Sequence, residues 1–209
     1  MFAILADGGP FVWLLLVMSV ASVAIVLERG WYLRRSRVMP QALVDGMETL
    51  DAAALRGTCT AIPSPLARLA VTVLDHLRWP KQEVEGAVEV RARREVALME
   101  RGLVVLEIVV GIAPLIGLVG TIYGIIPLFV DFGKAISGDY ALLAKGIGAA
   151  LNKTLVGLLV AIPTLVAWSY FNKKVETLAV ELEGHCDALI RRHYLGDGID
   201  GSKSGSTRP

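Results

Sequence analysis

The sequence contains few of the residues on which catalysis and metal binding depend. Its 209 residues include only 2 cysteines and 3 histidines. His185, Cys186 and His193 lie near one another in the segment HCDALIRRH, but their spacing matches no common zinc motif. The sequence has no glycine-rich phosphate-binding loop and no nucleophile motif. We therefore expect no enzyme active site, no metal site and no cofactor.

The sequence also lacks an excess of either charge. With 21 basic and 20 acidic residues its net charge is +1, whereas a nucleic-acid-binding protein needs a basic excess on one face. Charge is missing altogether from three apolar runs, at Phe11 to Leu27, Ile108 to Val130 and Thr154 to Phe171. About 20 apolar residues cross a bilayer as a helix. Because the mean hydropathy is +0.57, we predict a membrane protein with three transmembrane helices.

The positions of the basic residues predict the orientation in the membrane. Basic clusters are Arg29, Arg34, Arg35 and Arg37 after the first run, Arg91, Arg93, Arg94 and Arg101 before the second, and Lys173, Lys174, Arg191 and Arg192 after the third. Basic residues favour the cytoplasmic side, so the N-terminus and the link between the second and third spans are expected outside. The first run lacks a preceding basic segment and a following cleavage site, and is expected to remain as a span.

Strand-like alternation is absent as well, so we expect an all-α membrane protein in which two of the spans extend into a cytoplasmic helical region. The predicted segments are 1–28 (periplasmic N-terminus and first transmembrane helix), 29–102 (cytoplasmic helical region), 103–130 (second transmembrane helix), 131–140 (short periplasmic link), 141–171 (third transmembrane helix), 172–195 (cytoplasmic helix) and 196–209 (disordered tail).

The polar region carries clear helix signals. Four apolar residues recur at near-helical intervals at its start, namely Leu43, Met47, Leu50 and Leu55. In the segment SPLARLAVTVLDHLRWP, Ser64 is a candidate N-cap and Pro65 lies in the first turn of an amphipathic helix. No proline or turn cluster occurs between Lys81 and Pro114, which predicts one long helix running into the second span.

The third span is likewise predicted to continue as a helix into NKKVETLAVELEGHCDALIRRH. Cys59 and Cys186 both fall on the predicted cytoplasmic side, where disulfides are rare. We therefore interpret both cysteines as free thiols.

Two of the spans carry stripes of small residues. At the helical period, Pro114, Gly117, Thr121 and Gly124 share one face of the second span, with Gly120 at its edge. A similar stripe in the third span contains Ala150, Thr154, Gly157, Ala161 and Thr164. Such stripes favour close helix packing in lipid, with each threonine bonded to its own helix. The alternative is that both stripes face a polar path, with Thr121 and Thr154 as hydrogen-bonding points for an ion or proton.

A charged residue lies beside the second stripe. Lys153 is adjacent to Thr154 in sequence and near Gly157 on the helix surface. An ionisable residue at membrane depth is a functional-site hypothesis by default. The alternative is a lysine whose ammonium extends to the outer membrane surface.

The motifs of these spans resemble a known family. The segment APLIGLVGTIYGIIPLF is similar to the signature of the MotA/TolQ/ExbB proton-channel family, in its ExbB/TolQ branch, and IGAALNKTLVGLLVAIPTLVAWSYF resembles the third transmembrane segment of that branch. The segments GGPFVWLLLVMSVASVAIVLER and SPLARLA also match. The resemblance covers most of the chain up to Phe171.

The resemblance implies a homopentamer in the bacterial inner membrane around two copies of a single-span partner of the ExbD/TolR type, which supplies a membrane aspartate. It implies that Thr121 and Thr154 correspond to the threonines of the family's pore, and that an ion gradient drives force on the cell envelope, with a TonB/TolA-type protein as a further partner. The small residues expected to face the pore are Pro114, Gly117, Gly120, Gly124, Ala149, Ala150, Gly157 and Ala161.

One departure from the family pattern bears on the ion path. Members of the branch usually carry a glutamate where this chain has Ala149, and Lys153 follows one turn later. The departure leaves both the proton relay and the choice between proton and sodium open. It also favours an alternative function, a non-conducting membrane scaffold that uses the same stripes only to hold helices together. A small-molecule transporter is a weaker option, because the three spans show no inverted repeat.

Overall fold

All regular structure in the computed structural model is α-helical. The backbone is described for residues 9–134 and 140–203, and no strand occurs in these two ranges, as the predicted all-α fold requires. The helices are α1 (Gly9–Tyr32), α2 (Arg35–Val38), α3 (Gln41–Thr49), α4 (Ala52–Ala61), α5 (Pro65–His76), α6 (Lys81–Glu100), α7 (Leu103–Lys134) and α8 (Tyr140–Lys203).

The chain divides into two compact units. The membrane unit comprises Met1–Arg29 and Gly102–Phe171, and the polar unit comprises Gly30–Arg101 and Asn172–Pro209. Three helical segments are long and apolar enough to cross a membrane, at Gly9–Tyr32, Leu103–Val130 and Leu143–Tyr194. The prediction of three spans is therefore confirmed.

The membrane unit has a small apolar core between its three helices. Leu15 of α1, Val109 and Ala113 of α7 and Ala161 of α8 are buried together, with Met18, Ile116, Val156 and Val160 packed against them. The outer surface of the unit is also apolar, since large side chains such as Val17 and Leu27 are 62% and 70% exposed. An apolar exterior of this kind suits hydrocarbon.

The polar unit begins with short helices that the sequence predicts well. Leu43, Met47 and Leu55 are buried. The Ser64 side chain accepts a hydrogen bond from the backbone N–H of Ala67 at 3.1 Å and caps α5, whose first residue is Pro65. One side of α5 is fully enclosed through Leu66, Leu69, Ala70 and Val73. The cap prediction is confirmed.

The predicted continuous helix from Lys81 into the second span is wrong. Helix α6 ends at Glu100 and α7 begins at Leu103. Between them Gly102 has φ = +90°, a backbone conformation that costs side-chain-bearing residues about 1–2 kcal/mol. A Cβ at Gly102 would lie 3.2 Å from Nε of Arg29. Of the two long extensions predicted for the second and third spans, only that of α8 is one continuous helix.

The predicted continuation of the third span is confirmed, and it reaches further than expected. Helix α8 runs from Tyr140 to Lys203, so positions 196–203 of the predicted disordered tail are helical. An established helix extends at little cost because nucleation is the expensive step. Positions 204–209 of the tail, 135–139 of the predicted link and 1–8 of the N-terminus lie outside the described residues.

Both cysteines are free thiols, as predicted, and both are buried. Burial raises the pKa of Cys59 above its ordinary value. Burial and the nearby Glu183 carboxylate raise the pKa of Cys186 to about 12. Both residues therefore stay protonated near neutral pH and behave as small apolar side chains.

Candidate functional site

The two small-residue stripes lie against each other within one chain. A Cβ on Gly117 of α7 would be 2.9 Å from the carbonyl oxygen of Lys153 and 3.2 Å from Cα of Gly157, and a Cβ on Gly157 would be 2.7 Å from the carbonyl oxygen of Ala113. Both glycines are thus in backbone contact with the facing helix. The packing interpretation accounts for these two positions, since only glycine allows so close an approach.

The two predicted threonines meet beside this contact. Their hydroxyl oxygens are 2.5 Å apart. Thr121 Oγ1 is also 3.1 Å from the carbonyl oxygens of Gly117 and Ala150, and Thr154 Oγ1 is 3.3 Å from the carbonyl of Gly117. Thr121 is 5% exposed, whereas Thr154 is half-buried.

The threonine pair can exchange its hydrogen bonds. Each hydroxyl carries one proton and accepts at two lone pairs. The Thr121 hydroxyl can donate to Gly117 or Ala150, and the Thr154 hydroxyl can donate to Gly117 or to Thr121. The pair therefore has more acceptors than protons. When one threonine hydroxyl turns its O–H from one acceptor to another, an oxygen lone pair becomes free to accept a new hydrogen bond. No buried polar atom loses its last partner in this change.

The Lys153 side chain occupies a groove made by two glycines of α7. Its Cδ would be 3.3 Å from a Cβ on Gly120, and its Nζ would be 3.1 Å from a Cβ on Gly124. The residue is half-buried. No ion pair involves Lys153 among the side chains that the structure describes. The two glycines therefore accommodate a cation between the helices.

The remaining small residues of the stripes divide into two groups. Ala150 is 0% exposed and Ala161 is 5% exposed, and Pro114 is half-buried. Ala149, the position at which the resemblance leads us to expect a glutamate, is exposed. Within a single chain, Ala149 therefore lies outside the contact between α7 and α8 in which these other small residues are packed. Whether these residues face a pore stays a prediction.

The sequence analysis missed two features of the site. Gly146 packs against Leu128, because a Cβ there would overlap the Leu128 side chain. The four-residue spacing of Gly146, Ala150 and Thr154 is the signal that would have found it. Phe11 of α1 also reaches the site, since its Cβ would be 3.3 Å from a Cβ on Gly120. No periodicity within one helix indicates that contact.

Comparison with known proteins places these residues in a family context. A family model described as the MotA/TolQ/ExbB proton channel family matches residues 57–184. The chain is 28% identical to the putative biopolymer transport protein ExbB homolog of Methanothermobacter thermautotrophicus, over 92% of this chain and 77% of that protein. It is 30% identical to the biopolymer transport protein ExbB of Neisseria meningitidis, over 84% of this chain and 86% of that protein.

A third relative extends the range of organisms. The putative biopolymer transport protein ExbB-like 1 of Synechocystis is 33% identical over 77% of this chain and 66% of that protein. The matched region of the family model contains Thr121, Lys153 and Thr154. The matched range therefore spans the positions that form the site, and the relatives are named for transport.

Proposed function

Because the chain belongs to the MotA/TolQ/ExbB proton channel family, we propose that it is the ion-conducting subunit of an inner-membrane motor of the ExbB type. In this function a proton gradient is converted into force on the cell envelope, as in TonB-type transport, Tol-type envelope maintenance or motility. The polar unit faces the cytoplasm and the N-terminus faces the periplasm. The relatives named as biopolymer transport proteins support the transport class.

The Thr121–Thr154 hydroxyl pair is the observation that carries this proposal. Two hydroxyls 2.5 Å apart lie where α7 and α8 are in backbone contact. Because both can donate to the carbonyl of Gly117, and Thr121 can also donate to that of Ala150, they can pass a hydrogen bond along without titrating. A threonine has no accessible charge change, so the path needs a titratable group from another chain.

The partner of this chain is a single-span protein with a carboxylate at membrane depth, of the ExbD/TolR type. Five copies of this chain surround two copies of the partner. Lys153 supplies the counter-charge, because its ammonium lies in the groove at Gly124 and an unpaired cation is costly in the membrane. The local charge is thereby inverted relative to the family pattern, in which a glutamate is usual at the position of Ala149.

Proton flux in proteoliposomes tests the proposal. The complex is purified with its co-expressed partner, and Thr121→Val and Thr154→Val are compared with the wild type. Each valine removes a hydroxyl and keeps nearly the same side-chain shape. We expect proton flux to fall by about tenfold or more, because the loss of one hydrogen bond raises the free-energy barrier to proton passage by about that factor. Assembly should be unchanged. Normal flux in both variants would rule out the pore assignment.

Thr164→Val is the matched control for this test. Thr164 is a buried threonine of the same helix, 4% exposed, whose hydroxyl donates to the carbonyl of Val160 at 2.7 Å. The same chemical change there should leave flux within about twofold, since it removes a bond that the helix makes to itself. Replacing sodium by potassium in the same assay distinguishes proton from sodium transport.

A non-conducting scaffold is the second candidate. The backbone contact between Gly117 and Gly157 and the bonds from both threonines to carbonyls of the same chain favour it, because they explain the stripes by packing alone. A scaffold would carry no proton flux even as the wild-type complex. A scaffold would also keep its cellular function with valine at positions 121 and 154, which separates it from a conducting subunit.

A further inference from the structure

A cavity in the polar unit lies next to the end of α1. It has a volume of about 370 Å³, and its polar lining consists of Tyr32, Ser36, Arg37 and Arg68. Pro63 and Pro65 form part of its apolar wall. No carboxylate belongs to its described lining. Two guanidinium groups and two hydroxyls therefore face one cavity, a combination that suits a phosphate group.

One of these guanidinium groups is fixed in place by a buried carboxylate. Arg68 donates to both oxygens of Glu95, from Nε at 2.8 Å and from Nη2 at 2.6 Å. Arg91 binds the same carboxylate, with Nη2 3.2 Å from Oε1. One negative charge is thus shared by two positive charges. The hydrogen bond to Glu95 raises the pKa of Arg68, which stays charged beside the cavity.

The second guanidinium group is held by an aromatic ring. The Arg37 guanidinium carbon lies 4.5 Å from the centroid of the Trp31 ring, within the range of a cation–π interaction. No ion pair between described residues includes Arg37. The Trp31 ring therefore positions the Arg37 guanidinium, and no described carboxylate neutralises its positive charge.

One residue of the cavity lining, Tyr32, lies at the end of α1, close to the end of its apolar run. Tyr32, the last residue of α1, follows Leu27, the end of the apolar run, by five residues, about 8 Å along the helix. The headgroup layer on each side of a bilayer is roughly 5–8 Å thick. Trp31 is 61% exposed, as is usual for a tryptophan at the membrane interface.

We propose that this cavity binds the phosphate of an anionic phospholipid headgroup, with Arg37, Arg68 and the hydroxyls of Tyr32 and Ser36 as its donors. Basic pockets beside transmembrane helices on the cytoplasmic side bind headgroups in this way. The site is separate from the Thr121–Thr154 pair and does not depend on ion conduction.

Lipid retention on the whole protein tests this assignment. The protein is placed in nanodiscs of phosphatidylcholine with or without phosphatidylglycerol, and retained lipid is measured by native mass spectrometry. Arg37→Gln should lower the retention of phosphatidylglycerol by about fivefold, while Arg37→Lys should restore part of it. Arg34→Gln, the same charge change at an exposed arginine outside the cavity, should leave retention unchanged.

Two results would overturn the proposal. Equal losses in Arg34→Gln and Arg37→Gln would mean diffuse attraction to the membrane surface. Displacement of phosphatidylglycerol by millimolar inorganic phosphate would instead identify a site for a soluble anion. Melting temperatures of all variants in pure phosphatidylcholine should agree with the wild type, which separates lost binding from lost folding.

Discussion

At the scale of single residues, the carboxylate of Glu95 is a buried charge held by two arginines in the polar unit. Its side chain is 1% exposed and is bound by Arg68 and Arg91. Removing one member of a buried ion pair is costly, because the other member keeps its desolvation penalty. Glu95 therefore stabilises the contact between α5 and α6, and it also fixes an arginine of the proposed lipid site.

We predict that Glu95→Gln destabilises the protein. The variant keeps the shape of the side chain but leaves two guanidinium groups without their counter-charge. Both arginines are about one-third exposed, which limits the cost to about 2–3 kcal/mol, and the thermal midpoint should fall by roughly 5–10 °C. Thermal unfolding of the purified protein measures it.

Glu89→Gln is the control for this prediction. Glu89 lies on the same helix and pairs with Arg93, but both side chains are exposed, so the change should cost less than about 0.5 kcal/mol. Equal midpoints for the two variants would show that burial of Glu95 does not govern the strength of its ion pair.

The sequence predicted single residues best where the signal is local. The Ser64 cap and the two threonines were identified from spacing, because each is defined within one helix. Glu95 was missed because its partner Arg68 lies 27 positions away, and the segment VEVRARREV has the composition of a solvated helix. The groove that holds Lys153 was missed for the same reason, since its glycines belong to the facing helix.

At the scale of helices, the contact between α7 and α8 depends on glycine at a few positions. We predict that Gly157→Ala weakens this contact, because the new methyl group would lie 2.7 Å from the carbonyl oxygen of Ala113. Backbone cannot rotate away as a side chain can, so the helices must separate, at a cost of about 1–3 kcal/mol. A lower thermal midpoint and reduced proton flux should both be observed.

Gly148→Ala is the matched control on the same helix. No atom lies within 4 Å of a Cβ at Gly148, and alanine favours helix over glycine by up to about 1 kcal/mol. This variant should be as stable as the wild type or more stable. If Gly157→Ala behaved in the same way, the close approach of the two helices would not be a source of stability.

The helices themselves were predicted well from the sequence, and their junctions were not. Apolar runs and caps define where α1, α5 and α8 lie. The break between α6 and α7 depends on the positive φ of Gly102, and glycine is also tolerated within helices, as Gly111 of α7 shows. Composition alone does not show whether a glycine lies at a break between helices, as Gly102 does, or within a helix, as Gly111 does. The space that Arg29 occupies beside Gly102 comes from tertiary structure.

At the scale of the whole molecule, the division into a membrane unit and a polar unit follows from the distribution of charge. Assembly does not follow from it, because the apolar exterior of the membrane unit suits lipid and a neighbouring copy equally well. Exposed apolar residues in the polar unit, such as Val90 and Val180 at 72% and 65% exposure, occur singly on most proteins. The proposed pentamer therefore depends on the family rather than on this surface.

Orientation in the membrane is the whole-molecule prediction that charge supports most directly. Basic clusters adjoin all three spans on the side of the polar unit, and moving such clusters across the membrane is disfavoured. A cysteine in place of Gly133, an exposed position near the end of α7 with open space at its Cβ, should react with a membrane-impermeant maleimide in intact spheroplasts. The readout is the fraction of labelled protein.

Lys81→Cys provides the opposite case, because the Lys81 side chain is 48% exposed and belongs to the polar unit. It should be labelled only after the membrane is permeabilised. Cys59 and Cys186 add little background, since both are buried and the raised pKa of each thiol keeps the reactive thiolate scarce. Labelling of Lys81→Cys in intact spheroplasts would show that the true orientation is the opposite one. The proposed lipid site would then belong to the outer leaflet.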